Sequence, residues 1–246
     1  MDYWTFDGWF ALKRRLSESG APKLTKTVFP GIELRLAAPT TCRLNAHVLF
    51  SDEIEDQVLH DFKSALQLEI VSRPLSDSSL IELARSVGED KLRHHGFAKI
   101  DVDKDNNLAL RAGSTIAEIN CESYKLAIEK VPLGKAIGFM PYHTSDGLSE
   151  VKWQSHYAYF LGLFKSSPIF ESRNLDLRGA FVNEVTPGNA KWIKNFQTGL
   201  NNIPRLVVSG SDAHRFTGVK GDNDKRGYGD FPSGKATWIK ADPTFR

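Results

Sequence analysis

Arg205-Leu206-Val207-Val208-Ser209-Gly210-Ser211-Asp212-Ala213-His214 is an apolar run that ends in small residues and then in Asp-x-His. That order reads as a buried strand delivering two metal-ligand types at its C-terminal end, where α/β folds build their sites. In an extended chain, residues two apart point the same way. A carboxylate at Asp212 and an imidazole at His214 can therefore share one ion or bridge two. A strand end with an Asp turn and a solvated His would look the same over so short a stretch, so the remaining ligand types have to be sought elsewhere.

Three more stretches supply them. Pro30-Gly31-Ile32-Glu33-Leu34 sets a lone carboxylate in an apolar run, where an uncompensated charge is costly. Asn45-Ala46-His47-Val48-Leu49-Phe50 does the same with an imidazole, and Ile137-Gly138-Phe139-Met140-Pro141-Tyr142 leads into His143. Each residue alone fits a satisfied core or loop position. Together, Glu33, His47, His143, Asp212 and His214 form a set of oxygen and nitrogen ligands borne on separate strands, which is how hydrolytic Zn, Mn or Fe sites are assembled.

Along the chain, the pattern alternates strand and helix. Asp7 is expected to cap a helix through Phe10, Leu12 and Leu16 that Gly20 stops. Strands are expected at Val28 to Leu36 and Leu44 to Phe50, then a helix capped by Ser51 with Ile54, Val58, Leu59, Phe62 and Leu66 on one face. A short helix at Leu80 to Val87 precedes an expected hairpin, Phe97 to Val102 and Leu108 to Leu110, turning across Asp103 to Asn107. A helix from about Ser114 to Lys130 leads to the strand before His143. Trp153, Tyr157, Phe160, Leu161 and Phe164 read as a buried helical stripe. An apolar element at Pro168 to Phe170, a helix around Ala190 to Leu200 and the Leu206 to Val208 strand follow. Ligands at strand ends favour a β/α barrel over an open sheet.

The 246 residues contain no linker-like stretch, which argues for a single domain. Two cysteines without Cys-x-x-Cys spacing exclude a disulfide framework and a thiolate zinc cluster, pointing to a reducing cytoplasm. No apolar run is long enough to span a membrane, and no export signal opens the chain. A net charge of +2 leaves a nucleic-acid partner open, with Lys13-Arg14-Arg15 and Lys220, Lys225 and Arg226 as local basic clusters. Gly229-Asp-Phe-Pro-Ser-Gly234-Lys235 has the outline of a phosphate loop. However, Ala236 replaces its Mg-binding hydroxyl and no helix pattern follows, so ATP binding there is not expected.

In order and local context, the ligand set resembles the PHP family, named for polymerase and histidinol phosphatase domains. The stretches Phe29 to Leu36, Ser209 to His214 and Phe231 to Asp242 are similar to the PHP module that precedes AAA-like or SMC-like ATPases in bacterial proteins of the TrlF type. The resemblance implies an α/β fold, a distorted β/α barrel related to the TIM barrel, over residues 1–246. It implies divalent metal ions (Zn, Mn or Fe), with Glu33 bridging, His47 and His143 completing one site, Asp212 in a second and His214 in a third. Glu33 and Asp212 are the residues it makes catalytic. The family's opening His-x-His is missing; His94-His95 are adjacent and would face opposite ways on a strand. Met1 to Thr5 is similar to the family's second motif, with Tyr3 where many members carry histidine, so the first strand is expected to be missing and Asp2 to be a supporting hydrogen-bond acceptor.

Two functions follow as expectations. One is a metal-dependent phosphoesterase or nuclease acting on a phosphorylated substrate such as DNA, RNA or a nucleotide product. The other is a degenerate or split PHP-fold module, without catalysis of its own, that binds or regulates an AAA-like or SMC-like ATPase in cis or in trans.

Overall fold

The computed structural model describes residues 1–41, 43–143, 146–152, 154–172, 178–209, 217–219 and 227. The chain is mixed α/β and divides into two compact units, one ending at Gly138 and the other beginning at Phe139. Among the described residues no helix is long and apolar enough to cross a membrane.

The first unit is built on β1 (Asp2–Tyr3), β2 (Gly31–Leu36) and β3 (Leu44–Phe50). β1 runs parallel to β2, and β2 antiparallel to β3. Side chains alternate across a strand, and the two longer strands use this fully. Ile32, Leu34 and Leu36 of β2, with Leu44, Ala46, Val48 and Phe50 of β3, are all buried on one face. Glu33, Arg35, Asn45 and His47 take the other. The apolar face is closed by aromatic packing: Phe62, in the helix after β3, meets Phe50 edge-on at 5.0 Å and Phe6 at 6.4 Å.

Seven helices complete this unit among the described residues: α1 (Asp7–Leu16), α2 (Asp56–Ala65), α3 (Asp77–Ser86), α4 (Glu89–His94), α5 (Lys99–Lys104), α6 (Asn106–Ile116) and α7 (Cys121–Glu129). α6 lies so close to α3 that a Cβ on Gly113 would stand 2.1 Å from the Leu80 carbonyl oxygen. Only glycine allows that approach.

Several local expectations are corrected. Residues 97–110 form α5 and α6 instead of a hairpin. The Asp105 carboxylate accepts from the Asn107 and Leu108 amides at 2.7 and 3.2 Å, making the supposed turn a helix cap. The single helix expected over 114–130 is interrupted, because Ile119 is extended and bridges to Leu36 and Leu68. Asn120 then caps α7 through the Ser123 amide. Ser51 caps no helix; its hydroxyl accepts from the Glu53 amide, and α2 starts at Asp56. Asp7 is the first residue of α1, not its cap. The orphan amides of Gly8 and Trp9 are instead taken by the Asp2 carboxylate, at 2.6 and 3.3 Å. The first long strand begins at Gly31, not Val28.

The second unit carries most of β4 (Ala136–His143), with α8 (Tyr157–Ser166), β5 (Ile169–Ser172), α9 (Arg178–Phe181), α10 (Ile193–Gly199) and β6 (Leu206–Val208). β4, β5 and β6 are parallel neighbours joined by helical connections, the arrangement parallel pairs require. Its core is aromatic: Phe164, Phe170, Phe181 and Phe196 pack around Tyr142 at centroid distances of 5.2 to 6.1 Å.

Candidate functional site

In the first unit, register places three chemistry-bearing side chains in one row. Tyr3 on β1 is opposite Glu33 on β2, which is opposite His47 on β3. Glu33 Oε2 and His47 Nε2 are 3.8 Å apart, beyond hydrogen-bond range. Two metal bonds of about 2.0–2.2 Å each can span up to about 4.4 Å, so this spacing suits two ligands of one ion. Asn45, one step along β3 on the same face, donates from Nδ2 to Glu33 Oε1 at 3.0 Å. That bond holds one carboxylate oxygen and leaves the other toward the imidazole. His47 is buried at 7% exposure, so its ring is positioned by packing as well as by register.

Arg35 extends the row. Its guanidinium donates to the Thr115 carbonyl and to the Tyr3 hydroxyl, and only 5% of the residue is exposed. Burial raises the Tyr3 phenol above its ordinary pKa; the neighbouring Arg35 charge opposes the rise and Glu33 adds to it. Trp4 follows with φ of 66°, a left-handed conformation unusual for a bulky residue. Its indole N–H on the Ser114 carbonyl at 2.9 Å pins the turn from β1 into α1.

His143 belongs to the second unit, as the exposed last residue of β4. The β4–β5 register shifts between Pro141 and His143. Strict alternation would send Tyr142 and His143 to opposite faces, whereas a bulge re-aims one of them. Both line a single cavity of about 640 Å³. Tyr157, Phe160, Leu161 and Phe164 contribute one wall from α8; Trp192, Asn195, Phe196 and Gly199 contribute the other from the α10 segment. Each set has the spacing i, i+3, i+4, i+7, one face of a helix. A Cβ on Gly199 would lie 3.2 Å from Leu161 and 3.4 Å from Phe164, so glycine sets how closely α10 approaches α8. The expected burial of the α8 stripe is corrected at Tyr157, which is 51% exposed at the helix start, while Phe160 and Phe164 are buried.

Of the five ligand residues read from the sequence, Glu33 and His47 are thus cross-strand neighbours in the first unit and His143 lines the cavity of the second. Asp212 and His214 lie outside the described residues, as do Trp153 and the Gly229 to Lys235 loop. Among the described residues, no group of three or more His, Cys, Asp or Glu side chains forms a metal-holding cluster. His94 and His95 end α4 with their rings 5.1 Å apart. The cavity went unread in the sequence because each of its helical faces, taken alone, has the period of an ordinary core face.

Comparison with family models, with curated proteins and with solved structures found no match for the chain.

Proposed function

We propose that the chain is a metal-dependent phosphoesterase of the PHP type, a distorted β/α barrel acting on phosphate esters of nucleic acid or nucleotide products. The observation that supports it is the Glu33–His47 pair: an acidic and an imidazole side chain at ligand spacing, brought together by adjacent strands whose opposite face is wholly apolar. The resemblance assigns the remaining ligand roles to His143, Asp212 and His214. When bound, a divalent ion supplies charge stabilisation to the phosphoryl oxygens and makes water an effective nucleophile near neutral pH. The chain's own part is positional. Asn45 fixes Glu33 through one oxygen, the buried flanks of β3 fix His47, and the tethered Arg35 guanidinium sets a positive charge on the same face of β2.

The test is hydrolysis of bis(p-nitrophenyl) phosphate by the purified chain with Mn²⁺, Zn²⁺ or chelator. Metal-dependent turnover that is lost in Glu33→Ala and Asp212→Ala supports the reading. Turnover that persists in chelator and in both variants contradicts it. The second reading, a degenerate PHP-fold module that serves an ATPase partner, has a different expected outcome in the same assay. Metal binding without turnover, together with retention of an ATPase partner, would select it.

A further inference from the structure

The cavity of the second unit has a composition that specifies its ligand. Six of its walls are aromatic rings: Tyr142, Tyr157, Phe160, Phe164, Trp192 and Phe196. Among the described lining residues Leu161 is the sole large aliphatic side chain, which disfavours an alkyl chain and favours a flat ring. Aromatic pairs gain from offset or edge-to-face contact, and the cavity's own rings already use it: Trp192 meets Phe196 at 5.5 Å and 79°, and Phe196 meets Phe164 at 5.0 Å and 67°. Trp192 remains 38% exposed, so part of this lining residue reaches solvent at the opening.

The polar groups narrow the ligand further. Ser149, Asn195 and Thr198 line the same space, and a side-chain amide both donates and accepts hydrogen bonds, as the edge of a nucleobase does. Among the described lining residues, His143 at the end of β4 is the one His, Lys, Arg, Asp or Glu side chain. A charged ligand group therefore finds its described partner on the His143 side. The volume, about 640 Å³, lies within the range of about 300–1,000 Å³ typical of small-molecule sites.

We propose that this cavity holds a purine or pyrimidine base, stacked against Trp192 with its edge toward Asn195, leaving the attached sugar and phosphate on the His143 side. This deepens the phosphoesterase reading by naming the non-reacting part of the substrate, and rests on that reading only for the fate of the phosphate.

The experiment is calorimetric titration of the full chain with each of the four ribonucleosides and with ribose 5-phosphate, in chelator, for wild type, Trp192→Ala and Asn195→Ala. Both substituted residues are exposed, and far-UV circular dichroism verifies that each variant is folded. Saturable binding of at least one nucleoside is expected, none for ribose 5-phosphate. Affinity should fall roughly tenfold in Trp192→Ala, the scale of one lost stacking ring. A smaller loss, and a changed preference among the bases, is expected in Asn195→Ala. No nucleoside binding at millimolar concentration, binding unchanged in both variants, or equal binding of ribose 5-phosphate would each overturn the inference. Nucleosides bind here without metal and without turnover, so binding by an inactive chain sinks the phosphoesterase reading alone. Metal-dependent hydrolysis by a chain that binds no nucleoside sinks this inference alone.

Discussion

Glu33 is the residue on which the proposed chemistry turns, and its neighbours define what it can do. Asn45 occupies Oε1 at 3.0 Å, while Oε2 stands 3.8 Å from His47. Removing a group that orients a ligand typically costs about 10–100-fold in metal affinity. Asn45→Ala should therefore weaken Mn²⁺ binding within that range while the fold persists, as measured by competition with a chelating dye; unchanged affinity would mean Asn45 has no orienting role. A second residue-scale expectation concerns Tyr124, which is 3% exposed and whose phenol is raised above its ordinary pKa by burial, with Cys121 adding to the rise. A group whose folded pKa exceeds its unfolded value contributes stability fully below the unfolded value, about 10 for tyrosine, and loses it as pH climbs toward the folded one. In alkaline titration at 295 nm, the signal missing from Tyr124→Phe should emerge only above the ordinary tyrosine range, accompanied by loss of stability. A midpoint near that of free tyrosine would show that the ring is hydrated.

Elements were legible where one period ruled them. In β3, Leu44, Ala46, Val48 and Phe50 alternate with polar or half-exposed positions, and the strand runs over the residues that pattern marks. β6 likewise matches its apolar run, Leu206–Val208. Errors fell where one residue type serves two local purposes. Asp103 to Asn107 carries the composition of a hairpin turn, yet Asp105 spends its carboxylate on two helix amides, and Ala109, Ala112, Gly113 and Ile116 are the buried face of α6. A cap from outside the helix's own first turn was invisible as well: Asp2 caps α1 from the preceding strand. Two stability measurements follow. Gly113→Ala would force a methyl group against the Leu80 carbonyl, and overpacking of this kind should cost about 1–3 kcal/mol in urea unfolding. Asp2→Ala should cost about 1 kcal/mol, the worth of a helix N-cap. A neutral outcome at Gly113 would mean that α3 and α6 separate more readily than their contact implies.

At the scale of the whole molecule, the strand-borne ligand types were visible one by one in the sequence, and register makes neighbours of two of them. The aromatic cavity was not visible, because it is assembled from α8, the α10 segment and the end of β4, and side chains more than thirty residues apart close it. The proposed activity stands on the Glu33–His47 pair holding a divalent ion. The most direct measurement is calorimetric titration of chelator-stripped protein with Mn²⁺, comparing wild type with Glu33→Gln, which retains the shape of the side chain and the Asn45 contact but removes the charge. Saturable binding of about one ion per chain is expected, abolished or weakened at least a hundredfold in Glu33→Gln. Absence of binding in the wild type, or the same isotherm in both proteins, would contradict it.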